Sequence, residues 1–325
     1  MKKDTIRPEL RRAVLKAPRL PFALRPLLGF SRFIFNIATK KKPVAGVYLD
    51  CVTYQGVEIR IFTPGNVSCD GAIIWFHGGG HIAGRPNQLD KTASQTARRL
   101  GVKIIVPQYR LAPEYPFPAD LDDAYTAWQW LLQNASDLNI DSNRIAIVGN
   151  SAGGGLAAAL AQKIYDIGSQ QPAAQVLFYP MLDDRTAANK QLDADNHFLW
   201  NNKANRVAWN AYLAPNQCGA NALPDYAAPA RRQNLNGLPK TWIGVGSIDL
   251  FYDECVEYAA RLKAQQVDCE LFTVEGAPHV FEVLAPEERV TQNFVTSATN
   301  FLFTVLSESG EAIDSHAPVA QSLCN

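Results

Sequence analysis

The sequence predicts an α/β fold: a mostly parallel sheet of eight strands with helices on both faces. Short β-branched apolar runs, the length of buried strands, recur along the chain. Longer segments with helical periodicity separate them, and strands alternating with helices build a parallel sheet covered on both sides. Residues 144–158 compress that pattern into one stretch, with an apolar strand (144–148), a glycine-bracketed serine and an alanine-rich helix.

Taken in order, residues 1–46 are basic and proline-punctuated, with Phe30, Phe33, Ile34 and Ile37 at helical spacing. That spacing predicts a segment folded back as a cap, its apolar face on the rest of the chain. The competing use is contact with an anionic membrane surface. Runs 47–54 and 57–63, separated by Gln-Gly, read as an antiparallel hairpin. Residues 72–76 form a buried strand that runs into His77-Gly78-Gly79-Gly80. A helix over about 88–100, a strand over 103–106, a turn-rich stretch 109–118 and a helix over about 119–135 lead to the serine. Beyond it, 174–178 is another buried strand. Residues 183–225 break the rhythm, with Phe198, Trp200, Trp209 and Tyr212 along helix-like segments, and read as an insertion between strands. The alternation resumes with strand 241–245, helix 253–265, strand 269–274 and a last helix over about 287–306. Residues 308–325 have no periodicity and are expected to be a mobile tail.

Length alone allows two domains at 325 residues, but no repeat or low-complexity linker divides the chain. The formal net charge is zero, so nothing global points to nucleic acid. The distribution is uneven: residues 1–42 carry twelve Lys/Arg against two acids, and the remainder carries 19 against 29. Six scattered cysteines (51, 69, 218, 255, 269, 324) lack C-x-x-C or metal-ligand spacing and read as reduced thiols. No signal peptide and no run of transmembrane length is evident, so the expected location is cytoplasmic.

Ser151 lies in Gly149-Asn-Ser-Ala-Gly153, a G-x-S-x-G pentapeptide. At a sharp strand-to-helix turn the serine hydroxyl stands clear of the sheet, and the flanking glycines avoid crowding each other. The following helix aims its N–H groups at the place where negative charge develops. A serine needs a base to take its proton, and histidine suits that work near neutral pH. Of five histidines (77, 81, 197, 279, 316), three follow Ser151, as the Ser, acid, His order of α/β hydrolases requires. His316 is in the tail, and His197, in the insertion, has no candidate acid in the right order before it. His279, in Gly276-Ala-Pro-His-Val-Phe281 just past the last strand, remains. Asp249 follows strand 241–245 and would hold the imidazole in the useful tautomer. Asp253 and Glu254 compete, but they open a helix and read better as cap and dipole partners.

An oxyanion hole needs main-chain N–H groups aimed at the carbonyl oxygen. Ala152, after the nucleophile, supplies one, and the glycine run 78–80 the others. Neither a dinucleotide fingerprint nor a P-loop fits residues 149–155, and no H-E-x-x-H is present, so no cofactor and no metal is expected.

Together these motifs resemble the hormone-sensitive lipase-like family of α/β-hydrolase carboxylesterases. His77-Gly-Gly-Gly80, Tyr109-Arg-Leu-Ala-Pro-Glu114, Gly149-Asn-Ser-Ala-Gly-Gly154, Asp249 with Asp253-Glu254, and Gly276-x-x-His279-x-Phe281 fall in the family's order over about residues 45–305. The resemblance implies a helical cap from 1–46 and 183–225 over a catalytic domain of 47–182 and 226–307. It implies Ser151, Asp249 and His279 as triad, with Ala152, Gly79 and Gly80 as oxyanion donors; Gly78 stays open. Arg110 and Glu114 would brace loops. The implied activity is hydrolysis of short- to medium-chain carboxylic esters through an acyl-enzyme. The same triad also serves amidases and lyases, and a gibberellin-receptor-like binder of this fold has an incomplete one. The partner is a small-molecule ester, and nothing in the sequence speaks to oligomeric state. Two positions depart from the family. Asn150 stands where Asp or Thr is usual, and His81 where an aromatic or apolar residue is usual; both are candidates for the substrate pocket.

Overall fold

The structure, a computed structural model, describes residues 3–18, 21–195, 197–213 and 217–307. The expectations for the tail 308–325, His316 and Cys324 lie outside them. Helices α1 (Pro8–Lys16) and α2 (Leu28–Thr39) precede the sheet. Strands β1 (Val47–Tyr54) and β2 (Val57–Pro64) then pair antiparallel. Gln55 and Gly56 between them both have positive φ, 46° and 84°, the backbone a two-residue hairpin turn requires.

The alternation follows as β3 (Ala72–Phe76), α3 (Asp90–Leu100), β4 (Lys103–Pro107), α4 (Ala119–Gln133), β5 (Ile145–Asn150), α5 (Ala152–Asp166) and β6 (Ala174–Phe178). The insertion contributes α6 (Asp184–Ala188) and α7 (Asn202–Tyr212). The chain closes with β7 (Lys240–Gly246), α8 (Tyr252–Ala264), β8 (Cys269–Val274), α9 (Phe281–Leu284) and α10 (Arg289–Ser307). The eight strands form one sheet in the order β1-β2-β4-β3-β5-β6-β7-β8. Only the pairings of β2, with β1 and with β4, are antiparallel; β4, β3 and β5 to β8 run parallel. From β3 the chain goes to β4 on one side and returns to β5 on the other. Strand order reverses there, and the loops leaving β3 and β5 open a crevice at the carboxyl edge. Every residue of β3 and β6 is buried, as expected of strands covered on both faces.

Several local expectations need correction. The helix expected from 88 begins at Asp90, because 86–88 form a 3₁₀ turn. The strand expected over 144–148 runs 145–150, since pairing with β6 continues to Asn150 opposite Phe178. Phe198 and Trp200 are not helical: the Asn201 side chain accepts from the Ala204 N–H and caps α7 there. Helix α2 exists, but its expected packing face is largely turned outward. Phe30, Phe33 and Ile37 are 59%, 62% and 60% exposed, whereas Ser31 is buried and Phe35 packs on the core. Arg32 explains the rotation. Its guanidinium bonds the carbonyls of Ile82 and Ala112 and the Glu114 carboxylate at 2.7 and 2.9 Å, which turns that side of the helix inward. No helix among the described residues is long and apolar enough to cross a membrane. Cysteines 51, 69, 218, 255 and 269 form no disulfide.

Candidate active site

Ser151 occupies the turn between β5 and α5 with φ 55° and ψ −119°, a strained conformation for a residue with a side chain. Three main-chain bonds hold it: Ser151 N–H to Phe178 O at 2.9 Å, and Met181 and Gly155 N–H to Ser151 O at 3.0 Å. The flanking glycines are needed for space, though not symmetrically. A Cβ on Gly149 would stand 2.0 Å from the Gly153 carbonyl oxygen. One on Gly153 would meet instead the carbonyls of Phe76 and His77, at 2.3 and 2.4 Å, where β3 ends. The crowding expected between the two glycines is therefore only half of it; the other half wedges the elbow against the glycine loop.

His279, in the loop after β8, places Nε2 3.0 Å from Ser151 Oγ and Nδ1 2.8 Å from Asp249 Oδ2. A carboxylate can only accept, so Nδ1 carries the proton and the Nε2 lone pair faces the serine hydroxyl. Asp249 comes from the loop after β7, and its Oδ1 accepts from the Phe251 N–H at 2.9 Å. All three residues are buried. The rings of Phe251 and Tyr179 stand edge-to-face on the imidazole at 5.2 and 4.7 Å between centroids. The arrangement can pass a proton from the serine to the imidazole while Asp249 neutralises the imidazolium. Of the competing acids, Asp253 lies in the first turn of α8, as expected. Glu254 does more than complement that helix: its carboxyl accepts from Leu182 N–H at 2.7 Å, from Asp183 N–H and from Thr186 Oγ1. Burial raises its pKa well above the carboxylate range.

Gly79 and Gly80, with φ of 136° and 64°, carry the loop past the elbow. Among the described residues, the N–H groups of Gly79, Gly80 and Ala152 donate to no acceptor. A Cβ on Gly78 would come 3.4 Å from Ser151 Cβ, so the run begins beside Ser151. Over it sits the insertion: Trp200 and Ala208 pack on Gly80, and Phe22 of the N-terminal segment meets Trp200 at 5.8 Å.

The two departures have definite places. His81 Nδ1 lies 2.7 Å from Asp120 Oδ2, both buried, and its ring stacks on Tyr212 of α7 at 4.1 Å. Asn150 is taken up behind the elbow. Its Oδ1 accepts from Trp75 Nε1 at 2.6 Å and its Nδ2 donates to Tyr179 Oη at 3.2 Å. Arg110 forks onto Asp123 and Glu114 onto Arg32, bracing the loops as expected. Sequence reasoning missed Tyr179, Asp120 and Glu282, which touch the site from outside its motifs.

A family model described as alpha/beta hydrolase fold matches residues 73–283. Carboxylesterase NlhH of Mycobacterium tuberculosis is 33% identical over 230 residues, covering 68% of this chain and 70% of that protein. The chain belongs to the hormone-sensitive lipase-like family of α/β-hydrolase carboxylesterases. Within that family, Esterase LipI of the same organism is 32% identical over 208 residues, 64% of either chain, so the match spans just under two thirds of that relative. Among solved structures, a bacterial heroin esterase superposes with a TM-score of 0.85 at 31% identity, over 95% of this chain and 100% of the other.

Proposed function

We propose that this family member is a serine carboxylesterase in which Ser151 is the nucleophile, His279 the general base and acid, and Asp249 the orienting acid. Ser151 attacks the ester carbonyl, and the N–H groups of Ala152, Gly79 and Gly80 receive the oxyanion. His279 then protonates the leaving alcohol, and water cleaves the acyl-enzyme by the same route. The observation that carries the reading is the continuous hydrogen-bonded line from Asp249 through His279 to Ser151, buried at the carboxyl edge of the sheet. Trp200 packs on Gly80 and so bounds the glycine loop on that side, which supports short- to medium-chain esters over long ones. Turnover of p-nitrophenyl esters from acetate to palmitate, beside an anilide, tests this. Short esters should be favoured, and Ser151→Ala should lose on the order of 10⁶ in turnover. An anilide cleaved faster than the esters would make the protein an amidase.

The exposed Phe30, Phe33 and Ile37 beside Lys40, Lys41 and Lys42 support a second role, docking of this segment on anionic lipid. Co-sedimentation with phosphatidylglycerol vesicles should fall at high salt and in the Phe30→Ser, Phe33→Ser variant. Equal binding to neutral vesicles, or none, would remove it.

A further inference from the structure

Behind the imidazole lies a second carboxyl that no motif accounts for. Glu282 is in α9, three residues after His279, and its Oε1 accepts from the Tyr179 hydroxyl. That hydroxyl in turn accepts from Asn150, and the Tyr179 ring abuts His279. The chain of contacts thus runs from the residue before the nucleophile, through Tyr179, to the helix after the base. The turn it anchors is strained. Val280, between His279 and α9, has φ 51° and ψ 28°, a left-handed conformation that is an outlier for a β-branched residue. Such a backbone persists only when its surroundings over-determine it. Two anchors do so here: Phe281, fully buried against Phe294 at 4.9 Å, and the Glu282–Tyr179 bond.

We propose that Glu282 is a positioning residue for His279, acting through Tyr179: it fixes the ring against the imidazole and, when ionised, favours the imidazolium formed during ester cleavage. This rests on the reading of His279 as the base.

The residue keeps some exposed surface, but its Oε2 atom is shut off from solvent and has no partner among the described residues. Burial outweighs the Tyr179 bond and pushes the carboxyl up to about 7. The Tyr179 phenol, raised well above its ordinary value by burial and then by Glu282, stays a donor. The charged groups acting on Glu282 are His279, which favours its ionised form, and Asp249, which opposes it. Helix α1 packs on α9 with Leu10 and Val14 buried, while its Arg11 bonds the Ile6 carbonyl. Helix α10 offers Phe294, and its Arg289 is exposed. Near neutrality the carboxyl therefore changes charge beside a histidine that gains charge in the transition state.

The test is Glu282→Gln, which keeps the size and the acceptor for Tyr179 but cannot ionise. The ratio of wild-type to variant kcat/KM should be near one below pH 6 and rise to about fivefold above pH 8. Tyr179→Phe, which cuts the link but keeps the carboxyl, should lower kcat across the whole range. A folded variant with a pH-independent ratio would overturn the proposal, because a purely structural role moves all pH values alike. Burial of an acid also costs stability as it ionises, so wild type should lose thermal stability relative to Glu282→Gln as pH rises from about 4.5 through about 7. Ser151→Ala, run in parallel, separates the two failures: hydrolysis surviving there defeats the triad reading, not this one alone.

Discussion

Two buried histidine–aspartate pairs stand near the glycine loop, and they are nearly the same object. His279 meets Asp249 at 2.8 Å and His81 meets Asp120 at 2.7 Å, both through Nδ1 and Oδ2. In each, the other carboxylate oxygen accepts from a backbone N–H, that of Phe251 in one and Leu121 in the other. What differs is the far side of the ring. His279 turns Nε2 to a serine hydroxyl 3.0 Å away, whereas the His81 ring stacks on Tyr212 and ties α7 to the loop after β3. The pair is a device for holding an imidazole, and only the third partner makes it a base. Recognising a catalytic site by its histidine and acid alone would have found two here.

The largest test of that distinction is to neutralise each acid in turn. Asp249→Asn should cost about 10⁴ in kcat, because the amide favours the wrong tautomer and leaves the imidazolium uncompensated. Measured on a short ester at saturating concentration, a loss below tenfold would mean that the two pairs are equivalent and that the serine is activated some other way.

Gly80, next to His81 in the chain, sharpens the comparison. A Cβ there would stand 2.6 Å from the Trp200 ring, at a φ of 64° that side chains seldom adopt. Gly80→Ala should therefore displace the N–H proposed to receive the oxyanion and lower kcat by about 10²-fold. The displaced Trp200 ring should change the tryptophan emission, while the far-ultraviolet circular dichroism spectrum stays that of the folded protein. An unchanged kcat would exclude Gly80 from the oxyanion hole.

Chain order is what made one pair legible in the sequence and left the other hidden. His279 follows an acid and a serine in the α/β-hydrolase sequence of roles; His81 precedes both and carried no visible partner, since Asp120 looked like an ordinary residue of a helix start. The strands at 72–76, 174–178 and 269–274 were readable to the residue because a glycine or proline follows each short run within two residues. Helix α9 was not, since four residues are too few for a period. The face of α2 was misread for a different reason. Most of that helix is apolar, and the choice of side is made by Arg32 reaching carbonyls fifty and eighty residues away. Asn150, Tyr179 and Glu282 share no spacing either; a glutamate just after His-x-Phe was the one available hint, and by itself it carries no chemistry.

The smallest expected effect falls on the second pair, and it decides whether His81 is scaffold. Asp120→Asn keeps an oxygen that can accept from His81 Nδ1, but it removes the charge that His81 and the Tyr212 hydroxyl share. Helix α7 would then be held more loosely over Gly80. Weakening a buried hydrogen-bonded cluster costs about 1–3 kcal/mol, seen as a thermal midpoint lower by a few degrees. The kcat should stay within about tenfold of wild type, with any larger change in KM, because α7 covers the site without touching the serine or its base. A fall in kcat comparable to that of Asp249→Asn, with the fold intact, would move His81 from the frame of the site into its chemistry, since loss of cover alone cannot remove four orders of magnitude from a triad whose own contacts are unchanged.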